Sequence, residues 1–378
     1  MVWHIDVHEG AANVPSHIWK ILVGDEALRC PFLDQRFFIA LEETAAASLQ
    51  TGWQPIHLAI YEHEKPKALI PTYIKHHSYG EYVFDHAWAH AFERAGGQYY
   101  PKLLSAIPFT PVPGHRILTQ DRHDIPKFLS ILDHWLQRQD FSSMHILFTN
   151  EEIDPPHPRF MTRTDVQFHW HNRDYQNFDM FLGSLNSRKR KQIRKEREKI
   201  RQHGLQIKFL QGDDIKSEHW DGFVRCHEAT VDTKWGQAYL NRQTFEALQA
   251  NLSPQLALVA AFDGSQMIAG AWSLVGTDTI FGRQWGCLAQ IDFLHFEVCY
   301  YQTIERAIAA GYARVEAGVQ GEHKIARGFE PVLTQSWHWV KHKGFETAIH
   351  EFLQHERGLV DQQIKIYNTT TPYKKASV

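Results

Sequence analysis

LHFEVCYYQTIERAIAAGYARVEAGVQGEHKIARGF, residues 294–329, decides how this chain folds. With Phe293, its first part reads as an amphipathic helix over 293–311, because apolar residues recur at helical spacing. Gly311 closes that helix, since glycine adopts the left-handed conformation that ends helices. YARVEAGV (312–319) then reads as a strand, and GEHKIARGF (321–329) as a short helix ending in glycine. Upstream, LALVAAFDGSQMIAGAWSLVG (256–276) is two strands around an Asp263-Gly264 turn. TDTIFGRQWGC (277–287) is a third strand, and downstream LTQSWHWV (333–340) another. The order is β-β-β-α-β-α-β.

The N-terminal half runs similarly. It has a hairpin over 55–76, a short strand at 113–118, a helix over 123–139 and strands at 143–150 and 160–172. Phe160…His169-Trp170 matches Phe329…His338-Trp339 in spacing. With the matching element order, this suggests an internal duplication. The expected domains are residues 1–175 and 176–378, the second opening with a basic helix. Residues 78–114, rich in aromatics and prolines, break the symmetry. So long an irregular segment is often functional, although its aromatics could equally cap the sheet.

The chain has 378 residues, 43% of them hydrophobic and 22% charged. That is the balance of a globular protein of two to three domains. The longest apolar run is about seven residues, where a membrane span needs about 20. No secretory leader is visible at the N-terminus, so a soluble, cytoplasmic protein is expected. Four cysteines, at 30, 226, 287 and 299, have neither disulfide-framework nor zinc spacing. Histidine is abundant, at 25 residues, and invites a metal hypothesis. There is no H-E-x-x-H, and the i,i+4 pairs His86/His90 and His338/His342 lack a third ligand. No metal is expected.

The order β-β-β-α-β-α-β resembles the GNAT acyltransferase fold. Doubled, with a basic helix opening the second half, it resembles the Fem-type aminoacyltransferases of peptidoglycan bridge synthesis. More closely, the chain resembles the FemAB-like proteins of Gram-negative bacteria. The segments that carry this are 294–329, PFLDQRFFIALEE (31–43), SYGEYVFDHAWAHAFERAGGQYYPKLLSAIPFTPVPG (78–114), SRKRKQIRKEREKIRQHG (187–204) and DTKWGQAYL (232–240). The resemblance implies an α/β (α+β) protein of two tandem GNAT-like domains facing a shared cleft. It also implies acyl transfer to an amine, linked to peptidoglycan or peptide-like precursors. The donor would be aminoacyl-tRNA, as in Fem-type enzymes, or acyl-CoA, as in GNAT N-acetyltransferases, with no tightly bound cofactor. The CoA group usually has a [QR]-x-x-G-x-[GA] turn after the third strand. Arg283-Gln284-Trp285-Gly286-Cys287-Leu288 keeps its first two anchors, but Leu288 stands where a small residue is wanted.

From Ser187 to Arg201, nine Lys/Arg face two Glu, a local net of +7 in a chain of net −3. Lys189, Lys191, Arg194 and Lys195 make this helix a polyanion-binding candidate, suited to RNA or nucleotide phosphates; no RNA-reading motif accompanies it. The alternative is a solvated helix laced with Glu/Arg pairs. Glu316 ends a strand, and Gln320, Gly321, His323 and Lys324 enter the next helix. Glu316 or His323 could deprotonate an attacking amine, and Lys324 or backbone N–H groups could stabilise an oxyanion. A helix cap would explain the same residues without catalysis. His295, at a helix start, is a further base candidate or a packed histidine. Asp232, Lys234, Trp235, Arg283, Gln320 and Gly321 are candidate substrate-binding residues; the first three could hold the acceptor, or form a turn with a buried Trp. No G-x-S-x-G is present, so direct attack by the amine is the simpler chemistry. A non-catalytic precursor- or RNA-binding module is the third reading.

Overall fold

A computed structural model describes residues 3–151, 156–233, 238–319 and 321–374. The chain forms two compact units. Unit 1 is Met1–Ala27, Phe32–Val166 and Leu333–Gln362; unit 2 is Leu28–Pro31, Gln167–Val332 and Gln363–Val378.

In unit 1, strands β1 (Trp3–His8), β3 (His57–Glu62) and β4 (Lys65–Ile70) form a three-stranded antiparallel sheet. Five further strands pair in the order β2 (Trp53–Pro55), β5 (Tyr73–Lys75), β6 (Lys102–Ser105), β7 (Ser143–Thr149) and β14 (Glu330–Val340). Helix Ile125–Leu136 connects β6 to β7, the crossover that a parallel pair requires. It buries Ile125, Phe128, Leu129, Leu132 and Leu136, spaced three or four apart, against Leu103, Met144, Trp337 and Trp339.

Unit 2 runs β8 (Met161–His171), β13 (Arg314–Glu316), β12 (Thr279–Cys287), β11 (Gln266–Val275), β10 (Leu256–Asp263) and β9 (Gln206–Gln211). The β10–β11 hairpin turns at Gly264, whose φ is 58°. Its parallel pair is β12 and β13, joined from Thr279↔Arg314 to Phe281↔Glu316. Beyond that point β12 runs on to Cys287 against β11 alone. The two strands therefore part at Glu316. Gly282 sits at the parting, and a Cβ there would lie 3.2 Å from the Glu316 carbonyl.

The division differs from the expected boundary near 175. β8 passes from unit 1 into unit 2 at Gln167, and β14 passes from unit 2 into unit 1 at Leu333. The reason is strand pairing. Residues Gln335–Val340 fill the edge of β7, while His169–His171 fill the edge of β13. The duplicated signature lands in matching places. His338 lies opposite His145 and Trp339 opposite Met144; His169 lies opposite Glu316 and Trp170 opposite Val315.

Smaller departures are local. The expected 113–118 strand is only a bridge from Leu118 to Leu69. Residues 218–250 are two helices, Ser217–Asp232 and Arg242–Leu252.

Candidate active site

The site in unit 2 begins with an irregularity. The 293–311 helix is interrupted by a π turn, Glu297–Tyr301, before continuing as Gln302–Ala310. Such single-turn insertions are frequent at functional sites. The adjacent tyrosines have separate partners: Tyr300 Oη lies 2.9 Å from His323 Nε2, and Tyr301 Oη donates to Glu196. His295 and His323 have their ring centroids 6.0 Å apart, with Phe296 5.5 Å from each. Trp285 closes the group, 4.6 Å from His295. The two histidines expected in the chemistry thus share one aromatic cluster. Burial, then Arg327 and Lys324, lower the pKa of His323, so it is a neutral imidazole near pH 7.

Glu316 lies where β12 and β13 part. It is 4% exposed, its Oε1 lies 3.1 Å from Arg314 Nε, and its Oε2 has no hydrogen-bond partner. His169 Nε2 is 3.9 Å from that oxygen. Burial pushes the Glu316 carboxyl up to about 7, against the pull of Arg314 and Arg283. Burial, with Arg314, His171 and Lys324, holds His169 well below its ordinary value and keeps it neutral. The result is a carboxyl that titrates near neutrality with one oxygen unengaged.

Lys324 acts electrostatically on both groups, His323 and His169. Its ammonium donates to the Gly318 carbonyl at 2.5 Å, and burial brings it down to about 7. Gly321 has φ 110°, and the His323 ring folds over it so closely that a Cβ would lie 2.1 Å from Cε1. The short helix Glu322–Arg327 ends on Gly328 at φ 92°.

Arg283-Gln284-Trp285-Gly286-Cys287 is strand β12, not a turn. Gly286 pairs with Gly270, and a Cβ on it would lie 2.3 Å from the backbone of Cys226 and His227. Its smallness therefore lets the helix Ser217–Asp232 approach the sheet. Asp232 ends that helix and is exposed. Lys234, Trp235 and Gln320 lie outside the described residues.

The basic helix is Ser187–Gln202, capped by the Asn186 side chain on the Lys189 amide at 3.0 Å. Its two acids do not offset the outward charge equally. Glu198 pairs with Arg201, but Glu196 is buried, accepting from Tyr301, from Arg327 at 2.9 Å and from Gln192. Arg197 also turns inward, to Glu297 and Glu305. Lys191, Arg194 and Lys195 remain exposed and Lys189 half-buried, with Arg194 near Asp179. Sequence reasoning missed Tyr300, Arg314, Glu196 and Arg327. It had marked His169 only as a sign of duplication.

Two units of sheet and flanking helices, one with a buried carboxyl where its parallel strands part, define an α/β protein of tandem GNAT-like architecture. The chain belongs to the FemAB-like family, described as peptidoglycan biosynthesis/recognition, whose profile matches residues 10–375. Among solved structures it is similar to FemX (TM-score 0.52, 10% identity, 93% of this chain and 100% of that one). It is similar to a conserved protein of unknown function from Bacteroides thetaiotaomicron (0.51, 12%, 89% and 100%). It is also similar to L-PGS from Bacillus licheniformis (0.51, 8%, 85% and 96%). At these identities the likeness concerns the fold alone. No curated protein matches the chain. Among the described residues, no helix is long and apolar enough to cross a membrane, and no group of three or more His, Cys, Asp and Glu could hold a metal.

Proposed function

We propose that the protein transfers an acyl group to an amine acceptor, with aminoacyl-tRNA as the donor of first choice. The observation that carries this reading is Glu316, a buried carboxyl with an unengaged oxygen and a titration point near 7. An amine arrives as ammonium and must lose a proton before it attacks. A carboxylate poised near neutrality is suited to take it. The freed nitrogen attacks the donor carbonyl, and the C–O bond to the donor breaks as the leaving oxygen gains a proton. Backbone N–H groups at the entry to the Glu322–Arg327 helix supply non-titrating donors for the transient oxyanion, with Lys324 adding its own where it is protonated. His323, fixed by Tyr300, is the alternative base.

The basic helix supports a polyanionic donor, since one of its two acids is turned inward. The strand conformation of 283–287 and the packing role of Gly286 speak against a CoA pyrophosphate cradle there. The family description supports a peptide-like acceptor from peptidoglycan. The test mixes purified protein with an amine-bearing peptide and, separately, radiolabelled aminoacyl-tRNA or acyl-CoA. Label should move from aminoacyl-tRNA to the peptide. Saturable binding of CoA alone would overturn the choice of donor. Transfer from neither donor would overturn the enzymatic reading and favour a binding module.

A further inference from the structure

The aromatic segment 78–114 lies in unit 1, outside the acid–base centre, and two of its rings stand out from the surface. Tyr79 is 63% and Phe84 62% exposed. They are not isolated. His77, Tyr79, His86 and Phe84 follow one another as a row of rings, with centroid separations of 5.2, 5.8 and 6.1 Å. We propose that this row, with the cavity beside Phe84, is a carbohydrate-binding site.

The loop that presents the rings is built to be stiff. One buried ammonium, on Lys102, donates to Ser78 at 2.8 Å, Glu81 at 2.8 Å and Asp85 at 2.5 Å. All three of its protons are used. Tyr99 holds Asp85 as well, at 2.7 Å. The anchors at 78, 81 and 85 therefore point inward, and the rings at 79 and 84 between them point out. Gly80, at φ 80°, lets the loop pass the Phe109 ring, where a Cβ would come within 2.7 Å. Burial alone would raise the Asp85 carboxyl, but the Lys102 ammonium holds it well below its usual range, so the grip is ionic at any working pH. Buried ionic networks stabilise poorly but fix geometry. A fixed row of exposed rings loses little freedom on binding.

The chemistry beside the row selects the ligand. The cavity, about 60 Å³, is lined by Val83 and Phe84 and by the polar side chains of Arg163, Thr164, Asp165, Thr334 and Ser336. Thr164 Oγ1 is buried without a hydrogen-bond partner. The Arg163 charge is matched by Glu356 at 2.7 and 2.8 Å. Apolar rings next to a small polar cavity of hydroxyls, one carboxyl and one guanidinium fit a molecule that has C–H faces and many hydroxyls, which is a sugar chain. A lipid or an apolar protein face would want a continuous apolar patch instead, and here imidazoles and hydroxyls interrupt it. This inference goes beyond the proposed activity and is read without acyl transfer, so either can fail alone.

The test is calorimetric titration of the full chain with the tetramer of N-acetylglucosamine and, in parallel, with cellotetraose, which lacks acetamido groups. Saturable binding of either is expected. The pair Tyr79→Ala with Phe84→Ala should weaken it at least about tenfold, whereas Tyr79→Phe with Phe84→Trp should retain it. Both positions are exposed, and an unchanged circular dichroism spectrum establishes that the alanine pair folds. Failure of both sugars to saturate at millimolar concentration would overturn the proposal. So would undiminished binding by the alanine pair.

Discussion

Glu316 combines burial, two arginine neighbours and one unengaged oxygen, and this combination sets its expected behaviour. Replacing it by Gln should lower turnover by about 10² or more if it is the base. The wild-type pH profile should lose activity below about 7, where the carboxyl becomes protonated. Stability should move the other way. The folded carboxyl titrates above its ordinary 4.5, so the stability it contributes is complete below that value and is lost as pH rises through 7. Glu316→Gln removes that loss. Its urea-unfolding free energy should therefore gain on wild type between pH 5 and 8.5, by up to about 3 kcal/mol; an unchanging difference would contradict the burial argument. Glu316 was legible because it ends a strand ahead of a glycine-rich loop. His169, its neighbour, was not, since only the folded pairing of β8 with β13 brings it there. Lys102 was not legible either. A lysine in an aromatic loop reads as surface, and only three inward acceptors make its burial tolerable.

At the scale of elements, periodicity was informative wherever one face is buried and uninformative about who pairs with whom. The basic helix, the β10–β11 hairpin and the crossover helices follow from apolar spacing and turn glycines. The π turn at Glu297–Tyr301 does not, because one inserted residue leaves the apolar pattern nearly intact. Gly286 shows the opposite error: a glycine in a suggestive motif serves packing. Gly286→Ala would press a methyl group into the Cys226–His227 backbone and should destabilise by about 1–3 kcal/mol or more, measured by thermal unfolding. Replacing Lys191, Arg194 and Lys195 by Glu should abolish binding of a polyanionic donor, measured by filter retention of labelled tRNA. Unchanged affinity would remove this helix from the donor site.

For the whole molecule, the exchange of terminal strands matters most. Both β8 and β14 carry the same Phe-x8-His-Trp signature, so sequence pattern could not tell which unit each completes. The fold makes Trp337 and Trp339 part of the unit 1 core. A fragment of residues 1–175 lacks them and should fail to fold cooperatively, as judged by amide dispersion in NMR spectra. A dispersed spectrum would contradict the division. The histidine excess acts at this scale too. Burial holds His145, His169 and His338 neutral, so these three add no charge on mild acidification, whereas Glu316 and Lys324 each gain a proton there. With a sequence pI near 6.8, polyanion affinity should rise between pH 7.5 and 6. The central claim is acyl transfer by a centre whose base is Glu316. Its most direct test is single-turnover transfer from radiolabelled aminoacyl-tRNA to an amine-bearing peptide, run from pH 6 to 8 with wild type and Glu316→Gln. The account expects label in the peptide, a wild-type rate that climbs through pH 7 and a variant at least about 10² slower without that climb. Equal rates for the two proteins would contradict it.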